Sequence, residues 1–356
     1  MIVDFSKLDK KIYQFLLEAG EVADRKGVSL DLVGGMVRDL ILARPSVDID
    51  LVVEGNGMAF ARFLSEKWGG QALYHERFLT AALTLSSGLK VDVASARREI
   101  YSKPGALPTV RPGTFQEDSF RRDFTINTLA VSLNKASFGV LRDDCHGLLD
   151  LKAGRIAVMH EKSFLDDPTR ILRAARYQER FGFQIEPVTF KLLREAVKNG
   201  ALETVSPIRY FNEFRRMLEE ENPVFSLKRL QAFHAARFFP CDSRHLAFLR
   251  KAVSLAGEIS QDFSRPLFYL MVLADGVDRN RIGRVFTDLN FPREVKQKIL
   301  EALQFATVLD MLVRNPDSVK LEKFSTEALF FFLLKAWSVK LRKGLVLELR
   351  KRGVMV

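Results

Sequence analysis

Two aspartates at alternate positions, Asp48 and Asp50 in Val47-Asp-Ile-Asp-Leu-Val-Val53, are residues that could do chemistry. Successive strand residues point to opposite faces, so these carboxylates would share one face while Ile49 and Leu51 enter the core behind them. Side by side and unpaired, two carboxylates repel. A divalent cation relieves that repulsion, and Mg²⁺ usually bridges one or two carboxylates to substrate phosphates. Gly34 and Gly35 lie just upstream, ahead of a helix-like stretch over 36–42. Lacking Cβ atoms, they let backbone N–H groups approach a phosphate at the start of a helix. A D-x-D pair alone also fits a solvated strand end. The order of elements is more telling: strand, Gly-Gly, helix with Arg38 and Asp39, then D-x-D.

In that order, Leu32-Val-Gly-Gly-Met-Val-Arg-Asp39 through Asp50 resembles the head of the DNA polymerase β-type nucleotidyltransferases. More narrowly, it resembles the class II tRNA nucleotidyltransferase and bacterial poly(A) polymerase family. A second string, Arg121-Arg-Asp-Phe-Thr-Ile-Asn-Thr-Leu-Ala130, can pack Phe124, Ile126 and Leu129 while Arg122, Asp123 and Asn127 face a ligand. An aspartate with an arginine can hold a ribose hydroxyl, and arginine also suits phosphate. Spacing alone favours a charged helix start with a salt bridge. As a ten-residue string, however, it is similar to the second motif of that family almost letter for letter. A third stretch, Asp143 to Lys152, shares the family glycine at Gly147 but carries Asp144-Cys145-His146 where the family has a Pro-aromatic pair. That departure bears on the hinge between head and neck.

The fourth string is Asp166-Asp-Pro-Thr-Arg-Ile-Leu-Arg-Ala-Ala-Arg176. Asp167 before Pro168 is how many helices begin. Asp167 and Arg170 are also three apart and share a helix face. A carboxylate accepts and a guanidinium donates, which complements the amine and ring-nitrogen acceptor that adenine and cytosine both present. Guanine and uracil would leave such a pocket unpaired. This resembles the family's nucleotide-selecting Glu-Asp-x-x-Arg motif, with Asp166 in place of the glutamate. Arg173, one turn on, is placed to meet triphosphate oxygens. A fifth string, Ser206 to Phe214, resembles a neck element expected to pair Arg209 with Glu213.

Those motifs need a scaffold, and composition supplies one. At 356 residues the chain exceeds what one core usually serves, and 47% hydrophobic content suits packed cores. No apolar run approaches a membrane span, and the N-terminus lacks the regions of a signal peptide. With two cysteines at no metal-ligand spacing, a disulfide framework and a structural zinc are both disfavoured, and the cytoplasm is the expected location. The net charge of +11 favours a polyanionic partner, although a basic soluble protein without one has the same balance.

Along the chain, 1–27 reads as a helix before a strand over 30–33. A helix covers 36–43 and another 58–68. Strands over 81–85 and 90–94 form a hairpin in which Asp92 could bring a third carboxylate to the metal face. Residues 104–113, with three prolines and two glycines, read as a loop. A helix or strand pair falls around 121–133. Beyond 150, strand signals nearly vanish and helices follow: 168–181, 187–199, 208–219, 225–237, 244–258, 266–274, 279–288, 292–313 and 325–350. Phe330-Phe-Phe-Leu-Leu334 reads as core.

The resemblance implies an α+β fold: a polymerase β-type head with a small mixed sheet over 1–145, then an all-α neck over 146–222, and a tRNA-binding body and tail over 223–356. It implies addition of CMP and/or AMP from CTP and ATP to the tRNA 3′ end, without a nucleic-acid template. In it Asp48 and Asp50 hold Mg²⁺ and Asp92 joins them as a catalytic candidate. Gly34, Gly35 and Arg38 bind the triphosphate. Arg122, Asp123 and Asn127 orient ribose and phosphates, Asp167 and Arg170 choose the base, and Arg173 meets the triphosphate. A poly(A) polymerase, a non-catalytic RNA-binding protein and a nucleotidyl transferase acting on a small molecule are the alternatives.

Overall fold

The computed structural model describes residues 1–257, 263–305, 307, 308, 311, 320–336 and 339–354. The chain divides into two compact units. The first holds Met1–Arg170 and Phe181–Ala196, and the second Ile171–Arg180 and Val197–Val356. All of 1–145 lies in the first unit, all of the described residues from 223 onward lie in the second, and 146–222 is shared between them.

The first unit is built on a seven-stranded mixed sheet of strands β1 (Ser29–Val33), β2 (Ile49–Glu54), β3 (Gly70–His75), β4 (Thr80–Leu85), β5 (Lys90–Ser95), β8 (Ala130–Ser132) and β9 (Leu141–Arg142). Their spatial order is β3-β4-β5-β2-β1-β8-β9. The β4–β5 hairpin is antiparallel, whereas β2 and β5 pair in parallel. Ile49, Leu51, Leu30, Leu32, Val91 and Val93 are buried on one side of the sheet, as their alternation demands. On the other side, Val33, Val52 and Ala130 pack with Ala96 and Phe115.

Several expectations change. Helix α1 spans Lys10–Lys26, not 1–27. Asp9 caps it, accepting from Lys11 N, and Ser6 N donates to Asp4 in a turn before it. Ile2, apolar at helical spacing, instead bridges Val140. The stretch 104–113 is not all loop: β7 (Thr109–Pro112) pairs antiparallel with β6 (Arg97–Ile100) in a separate two-stranded ribbon. Proline is tolerated there because the ribbon is all edge. A helix over Phe115–Phe120 was not expected, although Thr114 and Glu117 form a capping box readable as T-x-x-E. Around 121–133 lie a single 3₁₀ turn, Thr125–Asn127, and β8.

The second unit is helical, with helices at Pro207–Leu218, Pro223–Ala232, Ser243–Ala256, Arg265–Ala274, Arg279–Asp288 and Arg293–Leu303. Much of the remainder of the helix expected over 292–313 lies outside the described residues. The helix expected over 325–350 is two, Thr326–Lys335 and Val339–Lys351, because Ala336 turns to extended backbone. Phe330 through Leu333 are buried, and Phe330 packs edge-on against Phe263 and Phe268. No helix among the described residues is long and apolar enough to cross a membrane.

Candidate active site

The turn from β1 into helix α2 (Gly35–Ile41) depends on Gly34. Its φ of 71° and ψ of −129° suit glycine alone, and its N–H donates to Leu129 O. A Cβ on Gly34 would lie 3.1 Å from Arg122 Nη1 and 3.7 Å from Asp50 Oδ2. The bare backbone therefore faces a cation and a carboxylate drawn from two other motifs.

Asp50 sits near the start of β2, in register with Asp92 of β5. Side chains of directly paired residues share a face, so the two carboxylates are neighbours. Burial pushes Asp50 up to about 6, Asp92 and Asp48 add to the rise, and Arg122 opposes it. Asp92 is raised as well, by burial and by Asp48, against the pull of His75. Asp48 was expected within the strand; it lies one residue before it and is exposed. Asp50, Asp92 and Asp48 thus lie within electrostatic reach of one another, and Asp50 also feels Arg122. Among the described residues, no group of three or more His, Cys, Asp or Glu side chains forms a metal cage. A cation shared between carboxylates and substrate phosphates needs no such cage, and this donor set suits Mg²⁺.

Arg122 is fixed from behind. Its Nη2 donates to Asp118 Oδ2 at 3.0 Å and its Nη1 to Asn127 O at 3.2 Å. Asp118, with its side chain 3% exposed, also accepts from Arg121 Nη2 at 2.7 Å. Burial would raise Asp118, but Arg122 and Arg121 outweigh it and hold the carboxyl below the usual range. Sequence reasoning missed Asp118. Its place three and four residues before the paired arginines, on a helix, was the available signal.

The other motif residues form a buried polar chain. Arg38, 4% exposed, donates through Nε to Asp39 Oδ1 at 2.9 Å and through Nη1 to Asn127 Oδ1, with its guanidinium 4.4 Å from the Phe181 ring centroid. Asn127 Nδ2 donates to Asp123 Oδ1 at 2.9 Å, and that oxygen also accepts from Phe124 N. The structure thus places Arg38 behind Asn127 and Asp123 rather than on an exposed edge. Phe124, Ile126 and Leu129 are fully buried beneath them. In the third motif, Asp143 caps Gly147 and Leu148. A Cβ at Gly147 would meet Thr125 O at 2.2 Å, so the glycine permits close approach to the second motif.

Asp167 accepts from Thr169 N at 3.0 Å and from Thr169 Oγ1 at 2.6 Å, a local turn cap. Arg170, also 4% exposed, opens the helix Arg170–Phe181 and donates to Ser163 Oγ and to Arg121 O, the latter at 2.7 Å. Tyr101 lies within electrostatic reach of both residues. Its hydroxyl donates to Glu99 Oε2, which accepts at 2.7 Å. Arg173 belongs to the second unit, where it donates to Glu213 at 3.3 Å and to Tyr177 OH at 3.0 Å. Glu213, expected to pair with Arg209, also meets Arg176 and Arg216. Both cysteines are free and buried.

A mixed-sheet head with a glycine turn facing strand-borne aspartates, followed by helices, defines a class of nucleotide-handling protein. A family model described as Poly A polymerase head domain matches residues 30–157, and one described as probable RNA and SrmB-binding site of polymerase A matches residues 182–241. The A-adding tRNA nucleotidyltransferase of Halalkalibacterium halodurans is 42% identical over 223 residues, covering 62% of this chain and 52% of that protein. That of Aquifex aeolicus is 34% identical and covers 91% of this chain and 42% of its own. The solved structure of the Thermotoga maritima CCA-adding enzyme complexed with tRNA superposes with a TM-score of 0.75 at 31% identity, over 97% of this chain and 84% of that one. The chain belongs to the tRNA nucleotidyltransferase and poly(A) polymerase family. It spans about half the length of the curated relatives it matches.

Proposed function

We propose that this chain adds AMP, CMP or both, from ATP and CTP, to the 3′ end of tRNA. The observation that carries the reading is Asp50, flanked by Asp92 and Asp48, facing Gly34 and Arg122. The reaction is in-line attack of the RNA 3′-hydroxyl on the α-phosphate, releasing pyrophosphate.

Asp48 and Asp50, with Asp92 beside them, would hold Mg²⁺, which supplies hydroxyl activation and charge neutralisation at the leaving oxygens. The Gly34–Gly35 backbone leaves room for phosphate oxygens to approach. Arg122, braced by Asp118, presents fixed positive charge where negative charge gathers. Asp123 and Asn127, held by Arg38, form a preorganised edge for the ribose. Arg38 acts here as a positioning residue, since its guanidinium is engaged inside the fold. Asp167 and Arg170 are assigned to the base. Ser163 and Arg121 hold Arg170 in place.

The deciding experiment incubates the protein with tRNAs ending at the discriminator base, at C and at CC, each with one labelled nucleotide. The expected result is incorporation of A, C or both, never G or U. No incorporation into any of the three RNAs would overturn the reading. Equal use of unrelated RNAs, with A added repeatedly, would replace it with poly(A) synthesis.

A further inference from the structure

We propose that the outer face of the β6–β7 ribbon is an RNA-backbone site, in which Arg98 and Arg111 grip one phosphate from two adjacent strands. This rests on the RNA-extending activity proposed above and assigns the acceptor a contact outside the carboxylate centre.

Arg98 and Arg111 are direct register partners in the ribbon, so their side chains leave the same face. That face is the exposed one. Arg98, Ile100, Thr109 and Arg111 are all open to solvent, while Arg97, Glu99 and Val110 alternate inward. Like charges directly opposite each other destabilise a strand pair, so the arrangement works against the ribbon unless an anion lies between them. Within the protein little answers the charge. Arg98, with its side chain 52% exposed, reaches Glu117 at 3.7 Å in a solvent-washed pair. Among the described residues, Arg111 has no ion pair and no side-chain hydrogen bond. Lys103 is exposed in the turn that joins the two strands. Paired guanidiniums offer parallel N–H groups that fit phosphate oxygens bidentately.

The ribbon adjoins, along the chain, the elements that carry the proposed centre. It starts one buried residue, Ala96, after the strand that carries Asp92, and leads through Gly113 into the helix that carries Asp118. Its inner face is bolted down, with Arg121 Nη1 donating to Glu99 Oε1 at 3.2 Å. Its connecting turn is fixed by Gly105 N donating to Leu165 O at 3.0 Å, close in sequence to Asp167. The outward arginines are therefore presented on a ribbon anchored between elements of the proposed centre.

The test compares wild type with Arg98→Ala, Arg111→Ala and Arg111→Glu. It measures binding to tRNA lacking its terminal nucleotides, and steady-state incorporation, across roughly 50–200 mM salt. Each alanine variant should raise KM for tRNA about fivefold to tenfold and lower the salt slope by about one, and the glutamate variant should do more. KM for ATP and kcat should stay within about twofold, and Tm should hold or rise because a repelling pair is relieved. An unchanged salt slope and tRNA KM in variants that fold overturns the proposal while leaving the activity standing. A rise confined to KM for ATP also overturns it, by placing the nucleotide there instead. If wild type neither binds nor extends RNA, both readings fall.

Discussion

Two sets of carboxylates in the first unit behave in opposite ways. Asp118 is the more deeply buried, yet it stays readily ionised because Arg121 and Arg122 donate to it directly. Asp50 is less buried, yet it is pushed up to about 6, because beyond burial its neighbours include Asp92 and Asp48. Burial acts upward on both, and the sign of the neighbours decides the outcome. Arg122 joins the two sets, bonded to Asp118 and drawn toward Asp50 by charge alone. The fold satisfies the carboxylate that holds the scaffold and leaves uncompensated the ones that would meet a cation.

The sharpest way to break this comparison is Asp50→Ala. Incorporation should fall by at least about a thousandfold, a barrier increase of about 4 kcal/mol, with tRNA binding kept near wild type and Tm not lowered. A variant within tenfold of wild type would show that Asp50 serves the fold alone. Asp118→Ala should do the reverse. It strips two arginines of a buried partner, and the expected loss of stability is about 3 kcal/mol, read by denaturant unfolding. Activity would fall indirectly, as Arg122 loses its brace. A stable Asp118→Ala protein would mean that Glu99 alone suffices for Arg121 and that Arg122 needs no support.

The smallest effect concerns pH. The folded value of Asp50, about 6, lies above its ordinary 3.8, so the folded protein holds that proton more tightly than the unfolded chain does. Ionising it costs nothing below about pH 4, costs more as pH rises, and costs in full above pH 6. Asp50→Asn removes the cost. With chelator present, it should stabilise the protein by up to about 2–3 kcal/mol at pH 7.5 and by little at pH 4. Added Mg²⁺ should narrow the gap by stabilising wild type preferentially. Equal melting temperatures of wild type and variant at both pH values would show that burial and the neighbouring carboxylates impose no cost on ionised Asp50. Asp118, held low, has the opposite sign: its contribution is present above its ordinary range and is lost only in stronger acid.

Much of the candidate site rests on short strings. Gly34-Gly35, Asp48-x-Asp50 and Arg121-Arg-Asp123 are local patterns, and strand alternation correctly sends Ile49 and Leu51 into the core. The helical character after 150 was equally plain from amphipathic spacing. Boundaries were less so. Local hydrogen-bonded turns at Asp4 and Asp9 end a helix that apolar spacing alone would continue, and Ala336 splits another.

Only tertiary structure could decide which charges meet. That Asp92 stands beside Asp50 follows from the parallel pairing of β2 with β5, whose register no local pattern specifies. That Arg38 lies behind Asn127, and Arg98 opposite Arg111, follows from contacts between segments distant in sequence. A side chain's type and spacing determine what it can bond. Burial and non-local pairing determine whether that capacity is spent inside the fold, as at Asp118, or left for a ligand, as at Asp50.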